Sequence, residues 1–209
     1  MIPCLDIHTH HPAPRPAAVV AIIPGDFNPE PEQRYSVGIH PWDSFNSPSP
    51  ETLSLLEKIA SHPSIVAIGE CGIDKLKGGP MFRQLQVIHR QIELSERLQK
   101  PLIIHDVKAH DVIVGLKRDL NPTQKWLVHG FRGKPTVARM LTDAGIYLSF
   151  GEKFNEESLM MTPRGMILAE TDESLLSIEE IIANISKAVG KDMTEEITAN
   201  TARFLGEEV

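Results

Sequence analysis

The chain has only two cysteines, Cys4 and Cys71, among 209 residues, and neither stands at CxxC or metal-ligand spacing. That excludes a disulfide framework, and both thiols, set in apolar contexts, are expected to be reduced and packed. No apolar run approaches the roughly 18 residues of a membrane span, and the start Met1-Ile2-Pro3-Cys4-Leu5-Asp6 leaves no room for a signal peptide before the first motif. A cytoplasmic protein with no membrane partner is expected. Basic residues are also scarce: 21 Lys and Arg face 28 Asp and Glu, for a net charge of -7 and a pI near 5.7. This argues against the broad cationic surface with which proteins grip duplex nucleic acid, so any anionic substrate must be held locally, by metal ions or a few cations. Repeats, low-complexity tracts and linkers are missing as well. One domain over 1–209 is expected, since a hydrophobic content of 41% can fill one core.

What the chain does contain is a series of short apolar runs: Cys4 to His8, Val19 to Ile23, Tyr35 to Ile39, Ile65 to Gly69, Leu102 to His105, Trp126 to His129, Ile146 to Ser149 and Ile167 to Glu170. Continuous runs rich in Ile, Val and Leu are the mark of strands buried on both faces. Helical patterns separate most of them. Ser49-Pro50-Glu51 reads as N-cap, N1 proline and first-turn acid ahead of Leu53, Leu56 and Ile59. A longer helix is predicted from Met81 to Gln99, ended by Pro101, and another from Pro135 toward Leu141. Ser177 and Glu180 form a capping box, and a last helix runs from Thr194 to Phe204. The alternation predicts an α/β fold of the TIM-type (β/α)8 barrel class. It is a compact one, because Pro12 to Pro50 is rich in proline and abbreviates the first two crossovers.

Histidines and carboxylates appear where these runs stop: Asp6-Ile7-His8-Thr9-His10, His40, Glu70, His105, His129 and Asp172. Strand alternation puts His8 and His10 on one face, with Ile7 and Thr9 turned away. A barrel gathers the other strand ends at the same rim whatever their separation in sequence. Four imidazoles and two carboxylates suit two divalent ions such as zinc or manganese better than calcium, with Glu70 chosen as the bridge. A metal-dependent hydrolase is the expectation.

Together, Asp6-x-His8-x-His10, Gly38-Ile39-His40-Pro41, Gly69-Glu70-Cys71-Gly72-Ile73-Asp74, Pro101-x-x-Ile104-His105, His129-Gly130-Phe131-x-Gly133, Ser149-x-Gly151 and Glu170-Thr171-Asp172 resemble the TatD family of metal-dependent deoxyribonucleases. Gln84, Gln91, Leu98 and Asn200 extend the likeness over nearly the whole chain. The resemblance implies an amidohydrolase-like barrel with one metal held by His8, His10, Glu70 and Asp172 and a second by Glu70, His105 and His129. It also implies cleavage of DNA phosphodiester bonds, on single strands or ends, with magnesium, manganese or zinc.

The departures fall on the substrate rim. Val107 stands where many relatives carry an arginine, with Lys108 beside it; Lys75 to Pro80 lacks the tyrosine and arginine often found there; and Glu173-Ser174 replaces a more usual proline turn. Lys108, His40 and Arg132 are the candidate substrate contacts. His40 also fits a hydrogen-bonded turn, and Lys134 a solvated cation. Asp172 is either a ligand that also takes a proton from water or a ligand alone. Asp74 is read as fixing the Glu70 loop as an N-cap, with contact to a substrate group as the alternative, and Asp6 as orienting a ligand imidazole through a hydrogen bond. His11, His62, His89 and His110 fall off the strand-end schedule and are placed on surface or helix positions, and Cys71 is read as packing. Hydrolysis of a small amide, lactone or phosphate ester is the alternative chemistry, and a metal-binding scaffold without turnover is the third reading.

Overall fold

A computed structural model describes residues 3–207. Eight parallel strands close in sequence order into one barrel: β1 (Asp6–Thr9), β2 (Ala18–Ile22), β3 (Arg34–Val37), β4 (Ile65–Asp74), β5 (Leu102–Val107), β6 (Trp126–Val128), β7 (Ile146–Phe150) and β8 (Ile167–Ala169). This is the TIM-type barrel anticipated above. The first crossovers are short as expected: no α-helix separates β1 from β2, and only a 3-10 turn, Pro24–Asp26, lies between β2 and β3. Among the described residues no helix is long and apolar enough to cross a membrane.

The helices follow local chemistry. α1 (Pro50–Ala60) starts where Ser49 accepts a hydrogen bond from the Thr52 amide at 3.2 Å. α2 (Met81–Leu98) ends at Gln99, whose left-handed φ of 54° turns the chain toward Pro101. α4 (Pro135–Asp143), α6 (Ile178–Val189), which carries the complete Ser177–Glu180 capping box, and α7 (Thr194–Leu205) match the predicted starts. Two helices lie outside the expectation, α3 (His110–Leu120) and α5 (Glu156–Met161). α3 has no capping side chain at Ala109; its first free amide is met by Asp106, three residues earlier, at 3.0 Å.

Two hydrophobic layers result. The larger joins the outer faces of the strands to the helices; the smaller fills the barrel with Ile7, Val19, Ala67, Ile103, Leu127 and Leu168, closed by Phe204 of α7. Ile103 and Leu127 each lie two residues before a site histidine, His105 and His129. The same alternation that buries the interior layer therefore carries those side chains to the barrel mouth. β4 breaks the pattern, because Glu70 is three residues beyond Ala67. Its pairing with β5 shifts register between Ile68 and Cys71, which lets both residues face inward. β1 shifts likewise between Asp6 and Thr9. The simple alternation read from sequence is thus corrected there: Ile7 joins the interior layer and His8 is also buried.

Gly69 permits the β4 shift. Its φ is +147°, and an added Cβ would lie 2.5 Å from the Ile103 carbonyl oxygen. Gly69→Ala is expected to lower unfolding free energy by about 1–3 kcal/mol from backbone strain. Gly115→Ala on α3, where an added Cβ meets nothing within 4 Å, is expected to raise it by about 0.5–1 kcal/mol. Urea unfolding of both variants checks the pair, and equal effects would refute the assignment of strain to Gly69.

Candidate metal centre

Glu70 occupies the middle of the barrel mouth, 7% exposed, with imidazoles around both carboxylate oxygens. Oε1 lies 2.6 Å from His105 Nδ1, 2.7 Å from His129 Nε2 and 3.2 Å from His40 Nε2. Oε2 lies 3.1 Å from His10 Nε2 and 3.5 Å from His8 Nε2. Asp172 stands at the edge, its Oδ1 3.7 Å from His10 Nε2. Three sets of these side chains have metal-ligand spacing: His8 with His10 and Asp172, His8 with Glu70 and His129, and His40 with Glu70 and His105. The six residues expected as ligands are thus brought together from five segments of the chain. His40, expected at the substrate, stands within the same cluster.

Backbone pairing fixes the Asp172 side of the site. The Asp172 amide donates to the His8 carbonyl at 3.0 Å, and the His10 amide donates to the Asp172 carbonyl at 3.0 Å. These bonds tie the backbones of His8, His10 and Asp172 together. Asp6 differs from its expected role. It accepts hydrogen bonds from the Thr171 amide at 3.0 Å and the Thr171 hydroxyl at 2.6 Å rather than from an imidazole. Burial pushes the Asp6 carboxyl up to about 7 despite those bonds. Its task is to tie the end of β8 to β1, next to Asp172.

Asp74 fixes a turn, as expected, accepting from the Leu76 and Lys77 amides at 2.7 and 2.8 Å. Its other oxygen accepts from Trp42 Nε1 at 2.7 Å and lies 3.4 Å from His105 Nε2. Gln84 grips Asp74 from α2, its Oε1 accepting the Asp74 amide at 2.7 Å, and Gln91 grips Ile39 beside His40 through bonds of 2.8 and 3.0 Å. Two further residues belong to the site. Glu170, fully buried, lies 3.6 Å from His129 Nδ1 and accepts from Ser149 Oγ at 2.6 Å. Trp42 stands 46% exposed on the rim, its ring edge-to-face with His40 at 4.8 Å. Sequence offered Glu170 only as a strand-end acid beside Asp172, and Trp42 only as the residue after the Gly38-Ile39-His40-Pro41 motif. Cys71 is packing, as expected: buried, with Sγ 3.5 Å from the Ile103 carbonyl.

Burial alone would raise the Glu70 carboxyl, but the His129 charge and the bonds from His10, His105 and His129 hold it well below the usual carboxylate range. His10 is raised by its Glu70 bond. His129 is raised well above its ordinary value, because Glu70 and Glu170 outweigh its burial. His8 is lowered by burial and by the neighbouring His129 charge, and neither of its ring nitrogens has a hydrogen-bond partner. A fully buried imidazole with two unmet nitrogens beside an ionised carboxylate fits a metal ligand. Bound metal would displace the protons that His10 and His129 otherwise carry. Both imidazoles have raised proton affinity, so zinc or manganese affinity should weaken as pH falls from 8 to 6. Competition with a chromophoric chelator at the two pH values measures this, and pH-independent affinity would refute ligation by these histidines.

Two clefts open from the centre. One, of about 550 Å³, is walled by Ile22, Ile23, Trp42, Asp26, Asp43 and Glu173. The other, of about 380 Å³, carries Lys108, Arg132 and His110, and both reach His105, His129 and Asp172. Lys108 and Arg132, the expected substrate cations, are exposed and share the second cleft. Lys134 is exposed at the start of α4. His11 bonds the Ser174 carbonyl at 2.6 Å, and His62 pairs with Ser64 at 2.8 Å.

The profile of the family described as TatD related DNase matches residues 28–205, a segment that begins after His8 and His10. The Bacillus subtilis protein named uncharacterized metal-dependent hydrolase YabD is 32% identical over 146 residues, covering 66% of this chain and 57% of that protein. The Salmonella typhimurium 3'-5' ssDNA/RNA exonuclease TatD is 29% identical over 151 residues, covering 68% and 58%. The chain thus spans little more than half the length of the curated relatives it matches. The fold is shared with the crystal structure of the TatD homolog YJJV from Escherichia coli, at TM-score 0.81 and 18% identity over 100% of both chains. It is shared also with a TatD family hydrolase from Entamoeba histolytica, at TM-score 0.73 and 14% identity over 97% of both. With the barrel and the profile in agreement over most of its length, this chain belongs to the TatD-related DNase family.

Proposed function

We propose that the protein is a metal-dependent phosphodiesterase that cleaves single-stranded DNA or DNA ends, using the cluster around Glu70. One observation carries this reading. The two oxygens of one buried carboxylate divide the surrounding imidazoles into two sets, His8 and His10 on one side and His40, His105 and His129 on the other. Glu70, His8, His10 and Asp172 would hold one divalent ion, and Glu70, His105 and His129 would hold a second. The nitrogen-rich donor set favours zinc or manganese, with magnesium as the remaining candidate. Bound there, such ions would supply a water of lowered pKa, from 15.7 toward roughly 7, and positive charge beside a phosphoryl oxygen.

The chain's own residues supply the rest. Asp172 is 27% exposed at the mouth, where its free carboxylate oxygen can take a proton from the attacking water. Glu170 lies 3.6 Å from the His129 ring nitrogen opposite Glu70, an electrostatic contact, and Asp74 lies within hydrogen-bond distance, 3.4 Å, of the corresponding nitrogen of His105. Such contacts fix the ring orientation of ligands. Lys108 and Arg132 draw the phosphate backbone into their cleft, and Trp42 offers a base a flat surface held in place by Asp74. The two free, buried thiols fit a reducing compartment, and we place the enzyme in the cytoplasm.

A second reading, hydrolysis of a small ester or lactone, rests on the apolar, acid-walled cleft and on the uncharged Val107. Both readings are tested on labelled single-stranded DNA with protein of known metal content. Chelation is expected to abolish cleavage, and Asp172→Asn to lower kcat by about 100-fold or more while the chain still folds, since asparagine tolerates the left-handed φ of 52° at that position. Glu70→Ala should lose both metal and activity. Metal-loaded protein that turns over a small ester but leaves DNA intact would transfer the assignment to the second reading.

A further inference from the structure

The Asp106–His110 pair has no part in the metal cluster, yet it forms one wall of the cation-bearing cleft. Asp106 follows His105 on β5, its side chain fully buried, and spends its two oxygens differently. Oδ1 accepts the Ala109 amide at 3.0 Å and starts α3; Oδ2 lies 2.6 Å from His110 Nδ1. The first bond suffices for the helix. The second holds an imidazole, 26% exposed, by one ring nitrogen. Among the described residues nothing else hydrogen-bonds that ring. His110 lines the cleft together with Lys108 and Arg132, and the cleft's inner end is His105, His129 and Asp172.

We propose that His110, oriented by Asp106, is a phosphate-contacting residue that grips the phosphate next to the one at the metal centre. A carboxylate on Nδ1 leaves the imidazolium Nε2–H as the donor, and a charge-assisted bond to a phosphate oxygen is the contact it is built to make. The surrounding charges agree. Asp106, by its hydrogen bond and its charge, and Asp111 favour the protonated ring, while burial and Lys75 oppose it; the net effect is raised proton affinity. His110 lines this cleft with Lys108 and Arg132, alongside Asp106 and Asp172, in a chain whose position 107 carries no charge. The pair thus serves where Val107 cannot, as a positioning contact for a substrate longer than one phosphate.

The inference rests on the phosphodiesterase reading, and binding separates the two. The Asp172→Asn protein, its hydrolysis slowed about 100-fold and its metal content verified, serves as the background, probed by fluorescence anisotropy with a short single-stranded oligodeoxynucleotide and by competition with thymidine monophosphate, which has one phosphate. Adding His110→Gln is expected to weaken oligonucleotide binding by about tenfold relative to the monophosphate. The slope of log Kd against log salt should fall by about 0.7, the value for one phosphate contact on a single strand. Metal content, measured in parallel, should not change, because His110 is not among the candidate ligands. An unchanged oligonucleotide Kd, an unchanged salt slope or an equal loss for both ligands would overturn the assignment. Failure of the otherwise wild-type enzyme to turn over bis(p-nitrophenyl) phosphate would instead sink the phosphodiesterase reading, and the binding comparison would still decide the role of His110.

Discussion

A single buried carboxylate sets the terms for the mouth of this barrel. Glu70 is 7% exposed and carries its charge among five imidazoles. An ionised group in that position is tolerable only when its charge is met by partners on every side. No local stretch of chain supplies them. His8 and His10 come with β1, His40 follows β3, His105 lies on β5 and His129 follows β6. Each imidazole reaches Glu70 only if its strand holds the correct register, so closure of the whole sheet is the condition for the charge to exist where it does. The same condition produces a metal-binding arrangement: nitrogen donors that meet a carboxylate from several directions are also positioned to meet a cation that the carboxylate attracts.

Holding that geometry falls to groups that never approach the reacting atoms. Gln91 and Gln84 project from one helix, α2, and each closes on the backbone of a strand end, Ile39 before His40 and Asp74 beyond Glu70. Both amides are buried and both use donor and acceptor, so replacing either with an apolar side chain strands two backbone groups. The Asp172 backbone is bonded on both sides to β1, and Asp6 clamps the preceding Thr171. Asp74 links three functions through one side chain: it caps a turn, anchors Trp42 and approaches His105. Orientation of the rim tryptophan and of the His105 imidazole are therefore not independent.

The sequence made the strands and the convergent residues readable because parallel strands buried on both faces leave continuous apolar runs, and because barrel topology brings their ends to one rim. What escaped it has local causes. The α3 start was hidden because its capping acid, Asp106, stands three residues before Ala109 and reads as part of the preceding strand. The shifts in β1 and β4 were invisible because alternation assumes an unbroken ladder. Gly69 was the only hint, and glycine beside a strand-end acid is as easily read as a turn. That error displaced Asp6 onto an imidazole in the expected scheme, when in three dimensions it faces Thr171. Glu170 closes the strand of the Glu170-Thr171-Asp172 motif, and nothing in sequence shows that His129, 41 positions earlier, turns a free ring nitrogen toward it.

Charge bears on how an acidic chain could accommodate the anionic substrate proposed for it. A net charge of -7 repels polyanions at long range, and salt screening shortens that repulsion to about 8–10 Å at physiological ionic strength. Inside that distance the mouth is strongly asymmetric. One cleft presents Asp26, Asp43 and Glu173 around Ile22, Ile23 and Trp42; the other presents Lys108 and Arg132. On the proposed reading, phosphates gain by entering on the cationic side and lose on the acidic side, where only an uncharged, stackable group is well accommodated. A chain laid across the centre then has one favourable direction. On that reading the reacting bond would lie between the clefts, and the sign of the charge on either side would decide which end of the substrate lies where.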